Sequence, residues 1–411
     1  VPVAAQGPAA PGLVEPGSLV VKLADARILH LFANYKWTGP ADPAIRAAAR
    51  LRALGLDVTF AQGIVTHRGG EHRMAEELAR AGVPVVVGLE LRKHFHLGAL
   101  LRDVRALRRL IARDRCDLLH CHLPADHLIA ALAVRGLPQP PAIVRSLYDP
   151  EPPPRGLRSR AAFRATVGAI APTRAAADGV VAGFGLPPGR VLLQPPVTEP
   201  RRLDGPDLRA AWGLDGRHRV VGITARIQPH RRFDLLWATA RAVVDAVPHA
   251  RFVLLGRGNE RDVREHVTEP LARLGLQGHV VLPGYQKGAA YDAALRTLDA
   301  FLFLVPGSDG TCRAVCDAMA FGRPVVCTRA GILPELVASP RPGETPGHAC
   351  EDTPAALSAA LVRYLRDDPL RARDGAAALR RAREDLDPVA AARRTAALYQ
   401  QALSTRGEAR R

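Results

Sequence analysis

Short apolar runs of strand length alternate with longer amphipathic stretches through most of the chain, and that alternation admits few folds. The first run is Ile28–Phe32, followed by a helical pattern over Pro43–Leu54. Val58–Ala61 is followed by a helix around Glu71–Ala81. Val83–Leu89 (VPVVVGL) has no polar side chain, which predicts a strand buried on both faces. Leu97–Arg113 predicts a helix with Leu100, Leu101, Val104, Leu107, Leu110 and Ile111 on one face and arginines on the rest. Leu118–His120, a helix near Ile129–Val134, Ala142–Leu147, Val167–Ala171, a helix at Thr173–Val181 and Arg190–Leu193 complete the first half. Such alternation means a parallel sheet with right-handed crossovers.

The pattern breaks at Gln194–Pro206, which holds four prolines and marks a hinge between domains. It restarts with a strand at Val220–Ala225 and a helix at Arg232–Val247. Strands at Arg251–Gly256, Val280–Pro283, Phe301–Val305 and Arg323–Thr328 follow, and a last helix at Pro388–Leu403. The expectation is an α/β protein of two Rossmann-like, doubly wound domains. The units are a lead-in over 1–26, a first domain over 27–197, a second over 198–387, and a helix with a basic tail over 388–411. Ligands in such folds sit at the carboxyl ends of the strands, so two facing domains predict a cleft.

At 411 residues the chain is long enough for two full cores. No run approaches ~20 apolar residues, so no membrane span is expected. The first 26 residues lack the pattern of a signal peptide, and together with ordinary cysteine usage this points to the cytoplasm. The net charge of +17 is nearly all arginine, with lysine only at Lys22, Lys36, Lys93 and Lys287. It is spread over both halves, and aromatic residues are only 5%, which argues against nucleic acid as a partner. An anionic substrate or an anionic membrane surface fits the charge. No two of the six cysteines form a C-x-x-C pair, so neither a zinc ribbon nor a thioredoxin-type site is indicated.

Four segments carry chemistry. In Pro306–Cys327 an apolar strand runs into a glycine-containing turn and a short helix, with Asp309 before the turn and Asp317 eight positions later. The backbone at Gly310–Thr311 suits an anionic or hydroxyl-rich ligand, and the two carboxylates can accept bonds from sugar or ribose hydroxyls. The plainer reading is that Asp309 caps a helix and Asp317 is solvated. Val221–Leu235 (VGITARIQPHRRFDL) places Arg226, His230 and Arg231 after a strand. Asp117–His122 (DLLHCH) puts His120 and His122 on one side of a strand end. A metal pair is geometrically possible there, but no third ligand stands at motif spacing. Lys36-Trp-Thr-Gly39-Pro precedes a helix, whose N-terminus suits a phosphate. His94 and His96 read as structural or solvent-facing. Gly256-Arg-Gly258 lacks the third glycine of a dinucleotide fingerprint. Asp385-Leu-Asp387 lies between helices rather than after a core strand.

Asp317-Ala-Met-Ala-Phe-Gly-Arg-Pro-Val-Val326 resembles the E-x7-E signature of the retaining, family 4 glycosyltransferases of the GT-B fold, with Asp at both acidic positions. Arg226 and Arg231 match that family's Arg and Lys, Asp117–His122 is similar to its D-V-V-H-x-H, and Gly39 keeps one of its glycine pair. The resemblance implies that Asp309 binds donor-sugar hydroxyls and Asp317 the ribose. It also implies that Arg226 and Arg231 neutralise the departing diphosphate and that His122 meets the sugar. Lys36 and Trp37 become candidate acceptor contacts. The implied activity moves a sugar from a nucleotide-diphosphate donor to a hydroxyl acceptor, in cell-envelope or other glycan or glycolipid synthesis. No metal or other cofactor is expected, since the arginines neutralise the diphosphate. The implied partners are the donor and a glycan or lipid-linked acceptor. The basic helix Leu97–Arg113 either rests on an anionic membrane at its inner face or is an ordinary helix with a solvated face. The rival readings are a GT-B-like binding or scaffold protein without catalysis, a nucleic-acid binder, and a nucleotide-sugar epimerase or phosphorylase.

Overall fold

The structure, a computed structural model, describes Leu23 and residues 25–64, 74–305 and 312–408. Within them the chain builds two parallel six-stranded sheets, each covered by helices on both faces. The first sheet has the order β2-β1-β3-β4-β5-β6. Its strands are β1 (Arg27–Phe32), β2 (Asp57–Gln62), β3 (Leu118–Cys121), β4 (Ala142–Ser146), β5 (Thr166–Ala171) and β6 (Val191–Leu193). The second sheet has the order β12-β11-β10-β7-β8-β9. Its strands are β7 (Arg219–Thr224), β8 (Ala250–Leu255), β9 (Val280–Gly284), β10 (Ala300–Phe303), β11 (Val325–Thr328) and β12 (Gly347–Cys350). The sequence-derived expectation of two doubly wound α/β domains is therefore met.

One face of the first sheet is covered by α1 (Ala41–Ala53) and α2 (Met74–Arg80). The other is covered by α3 (Leu97–Asp114), α4 (Pro124–Val134) and α5 (Leu157–Phe163). Ile28, His30 and Phe32 face α1, whereas Leu29 and Leu31 face α3 and α4, which is the two-residue period of a strand buried on both sides. α6 (Arg174–Phe184) lies beside β5 and β6. It begins where Thr173 accepts from the Ala176 N–H and ends at Gly185, whose φ of 74° suits a left-handed cap.

The second core is built by α7 (Phe233–Ala246), α8 (Gly288–Thr297), α9 (Arg313–Ala320), α10 (Leu333–Val337), α11 (Pro354–Arg366) and α12 (Asp368–Arg380). The last helix, α13 (Pro388–Glu408), returns to the first domain. Its Ala392, Ala396, Tyr399 and Ala402 are buried in the same cluster as β1, β2 and α1. The C-terminal segment therefore completes the core of the N-terminal domain.

The expected strand Val83–Leu89 is corrected. Only one isolated parallel bridge forms there, Phe60 to Val85, and Val87 is 83% exposed. The segment lies beside β2 at the sheet edge, with Val83 and Leu89 buried but Val85 and Val87 exposed. Pro84 brings no N–H to a ladder, and Gly88 turns the chain with a φ of 106°. Residues 71–73 of the expected Glu71–Ala81 helix lie outside the described residues.

Gly256 and Gly258 have a role that a nucleotide fingerprint does not supply. A Cβ on Gly256 would stand 1.9 Å from the Ala225 carbonyl oxygen, and one on Gly258 would stand 2.8 Å from Ile227. The loops after β7 and β8 thus touch backbone to backbone, and this fixes the segment that carries Arg226. Gly256→Ala should cost about 1–3 kcal/mol of stability in urea unfolding, because the clash is with backbone. An unchanged unfolding midpoint would contradict the close approach.

Candidate active site

Each sheet has one point where the crossovers reverse direction, between β1 and β3 in the first and between β7 and β10 in the second. The carboxyl ends of those strands open a crevice. The segments after β1, β3 and β7 carry Lys36, Trp37, Gly39, His122, Arg226 and Arg231. Asp309, Gly310 and Thr311 lie outside the described residues.

At the first switch point a single carboxylate does the assembly. Asp126, in the first turn of α4, is fully buried and accepts from the Ala33 N–H beyond β1 at 2.8 Å. It also accepts from the N–H groups of His122 and Leu123 beyond β3, each at 3.0 Å. It therefore ties the ends of two neighbouring strands to a helix N-terminus, where negative charge is favoured. Burial pushes its pKa up to about 7, against the pull of Arg145 and of these backbone donors. Beyond Ala33, Asn34 accepts from the N–H groups of Tyr35 and Lys36, and a turn through Gly39 delivers the chain into α1. Lys36, Trp37 and Gly39 are each partly exposed.

His122 is wholly buried. Its Nε2 meets His30 Nδ1 at 3.0 Å, and its Nδ1 meets the Tyr148 hydroxyl at 2.6 Å. His120 bridges the hydroxyls of Tyr399 (2.5 Å) and Ser146 (2.8 Å), and His30 Nε2 meets the same Tyr399 hydroxyl at 3.1 Å. The contacts form an open chain: Ser146 can donate to His120, His120 to Tyr399, Tyr399 to His30, His30 to His122 and His122 to Tyr148. Reversing every donor satisfies the chain equally well. Either way each imidazole is neutral with one N–H. Burial agrees: it pushes the His30 pKa down to about 3 and holds His120 and His122 well below the usual imidazole range.

The third histidine was not legible as motif spacing. His30 is the register partner of His120 across the β1–β3 ladder, a tertiary relation. Nitrogens of the three rings lie within 4.8 Å of one another. Every ring nitrogen already has a protein partner, so the cluster is satisfied as a hydrogen-bonded chain. His122 has no nitrogen to offer a ligand until Tyr148 or His30 yields its place.

At the second switch point Arg226 is exposed just beyond β7 and makes no ion pair among the described residues. Arg231 ends a short 3₁₀ turn, Pro229–Arg231, and its Nη1 donates to the Val305 carbonyl beyond β10 at 3.4 Å. His230 beside it is exposed. Asp317, on α9, is buried, and its Oδ1 accepts from the Thr198 hydroxyl and from Arg201 Nη2, each at 3.0 Å. Both partners lie in the segment between the domains, so Asp317 anchors the linker. Arg313, one turn earlier, lies 3.8 Å from Asp317 and 3.5 Å from Asp42 at the start of α1. Glu199 of the linker pairs with Arg46 and Arg50 of α1, and Glu335 of α10 accepts from the Arg174 N–H. The two domains thus meet through charge around the crevice.

Two family models match the chain, one to each domain. The model described as Glycosyltransferase Family 4 matches residues 44–202, and that described as Glycosyl transferases group 1 matches residues 218–367. A GDP-mannose-dependent alpha-mannosyltransferase of Mycolicibacterium smegmatis is 34% identical over 177 residues, 42% of this chain and 40% of the relative. A D-inositol 3-phosphate glycosyltransferase of Rhodococcus opacus is 28% identical over 259 residues, 60% of this chain and 55% of the relative. The matches thus span about half the length of these relatives or less. Among solved structures, Anabaena Alr3699/HepE in complex with UDP superposes with a TM-score of 0.69 at 20% identity, covering 90% of this chain and 98% of that one. A glycosyltransferase of Rickettsia africae superposes with a TM-score of 0.74 at 12% identity, covering 92% of this chain and 99% of that one.

The buried histidines make stability depend on pH. His30, His120, His122 and His127 are neutral in the fold and take up protons below about pH 6.5 once unfolded. The unfolded chain then binds more protons, so stability falls as the pH drops below about 6.5, by up to about 1.4 kcal/mol per unit for each histidine. Asp126 and Asp103 work in the opposite sense, since burial raises the pKa of each and favours the fold at low pH. Four groups outweigh two, and the urea midpoint should be lower at pH 5 than at pH 7. An equal or higher midpoint at pH 5 would mean that the histidines are charged in the fold.

Proposed function

Because both halves of the chain belong to the family 4-like glycosyltransferases of the GT-B fold, we propose that the protein moves a sugar from a nucleotide-diphosphate donor to a hydroxyl acceptor. The observation that carries this reading is the pair Arg226 and Arg231 at the switch point of the second sheet, opposite a first domain with its own crevice. Arg226 is exposed and makes no ion pair among the described residues, which supports its meeting a diphosphate. Arg231 is held by Val305 at the neighbouring strand end. As the diphosphate leaves, charge grows on its bridging oxygen, and two fixed guanidinium groups stabilise that charge more than they stabilise the bound donor. With cations in place, the chemistry requires no metal.

In this reading Asp309 and the Gly310–Thr311 backbone take the donor sugar, and Asp317 approaches the ribose after giving up Arg201 or Thr198. Gly39 and the start of α1 lie on the diphosphate side, and Lys36 and Trp37 on the acceptor side. His122 reaches the sugar by exchanging the Tyr148 hydroxyl for a sugar hydroxyl. Retention of configuration, a glycan or lipid-linked acceptor of the cell envelope and a cytoplasmic location belong to the same proposal. The UDP complex of the Anabaena protein and the GDP-mannose dependence of the M. smegmatis enzyme make uridine and guanosine donors the first to try.

Contact with an anionic membrane is supported by Phe95, Leu97 and Leu101, which are 51%, 60% and 45% exposed around the start of the basic helix α3. None of the helices among the described residues is long and apolar enough to cross a membrane. A second reading, a nucleotide-sugar-binding protein without turnover, draws on the internal engagement of Asp317 and His122.

The test is release of nucleoside diphosphate from a panel of UDP- and GDP-sugars, with the hydroxyl of water taking the sugar when no other acceptor is supplied. Wild type should release it from at least one donor, and Arg226→Ala should be slower by about 100-fold or more. Near-normal turnover of Arg226→Ala would remove the assignment. Donor binding without release would favour the second reading.

A further inference from the structure

Arg145 points to a site that sugar transfer does not use. It stands in β4, inside an apolar strand, and is only 6% exposed. It donates no hydrogen bond to any described residue, and its buried Nη1 meets no acceptor. The carboxylate closest in influence, Asp126, has both oxygens committed to backbone N–H groups. A guanidinium stays protonated under all ordinary conditions, and burying one without a bonded counter-ion costs several kcal/mol. Such a group is stable in a fold mainly when an anion completes it.

The place for that anion is a cavity of about 240 Å³ that Arg145 lines, between the start of α3, the start of α4 and α5. Its walls are largely apolar, with Leu128, Ile129 and Phe163 among them. Arg92, Lys93 and Arg158 also line it, and all three are exposed, with Arg158 lying 3.7 Å over the Phe95 ring. The one carboxylate in the lining, Asp103, accepts from the N–H groups of Glu90 and Leu91 and does not pair with Arg145. Arg92 is paired with Glu90 at 2.9 Å, which leaves Arg145, Lys93 and Arg158 over apolar walls with one engaged carboxylate, a set that suits a dianion carried on a hydrocarbon body. A guanidinium fork matches the oxygens of a phosphate.

We propose that this cavity binds a phosphate monoester with its phosphate on Arg145 and its organic part along the apolar wall. The proposal stands apart from the sugar-transfer reading. A soluble phosphate ester and a lipid headgroup share this chemistry.

Calorimetric titration with hexyl phosphate, inorganic phosphate and hexanol tests the site. Wild type should bind hexyl phosphate about tenfold or more tightly than inorganic phosphate and should not bind hexanol. Ala125→Trp, which fills the cavity from α4 and leaves Arg145 in place, should weaken hexyl phosphate about tenfold or more. Arg226→Ala, altered at the other cationic position, should bind it as wild type does. Arg145→Leu should lose the binding while melting no lower than wild type, since an apolar side chain relieves an unpaired buried charge. Flotation with phosphatidic acid vesicles, lost in Ala125→Trp, would identify a headgroup; binding of hexyl phosphate without flotation would identify a soluble ester. The proposal is overturned if wild type does not bind hexyl phosphate, if Ala125→Trp binds it undiminished, if Arg226→Ala abolishes it, or if Arg145→Leu melts well below wild type.

Discussion

One buried carboxylate organises the N-terminal half of the crevice. Asp126 accepts N–H groups from beyond β1 and from beyond β3, the two strands between which the first sheet reverses. The Ala33 and Leu123 N–H groups lie beyond the strand ends, and the His122 N–H is shared between Asp126 and the Leu31 carbonyl; a buried N–H without an acceptor is expensive. By satisfying them Asp126 sets the backbone of His122 and the exit of the loop that holds Lys36, Trp37 and Gly39. The same commitment leaves Arg145 without a bonded counter-ion, so the geometry of the crevice and the unfilled valence of the neighbouring cavity have one cause.

The C-terminal half is organised by a second carboxylate in a different way. Asp317 holds Thr198 and Arg201, so the segment joining the domains is fastened to α9. Around it, Arg313 with Asp42 and Glu199 with Arg46 and Arg50 span the domains at partly exposed positions. Pairs of that exposure contribute little each. They therefore hold the two domains together only weakly at the crevice. α13, by contrast, buries Tyr399 completely in the first domain and is a permanent tie.

Much of the fold was legible because parallel sheets buried on both faces leave strong periodic marks. β1, β3, β4 and β5 could be found from apolar runs, and β7, β8 and β10 likewise. Val83–Leu89 misled for a physical reason: apolar content does not by itself make a ladder, and here Pro84 and Gly88 interrupt the pairing, so that Val83 and Leu89 are buried while Val85 and Val87 are exposed. β12, Gly347–Cys350, escaped because its sequence, Gly-His-Ala-Cys, is not an apolar run. Of the site, residues in sequence motifs were visible, and residues joined by register were not. His30, Tyr148 and Tyr399 meet His120 and His122 only once β1, β3, β4 and α13 are assembled. Two signals stood in the sequence unused: Asp126 in the capping-box position after Leu123, and Arg145 as a charge inside an apolar strand.

The central claim is that the second domain holds a nucleoside diphosphate by its two phosphates, at Arg226 and Arg231. Calorimetric titration of the wild-type protein with UDP, GDP, UMP and GMP tests it without needing the sugar or the acceptor. The account predicts that one diphosphate binds, and about tenfold or more tightly than its own monophosphate, because the second phosphate adds charge-assisted bonds to guanidinium. Binding of neither diphosphate, or of a monophosphate as tightly as its diphosphate, would contradict it.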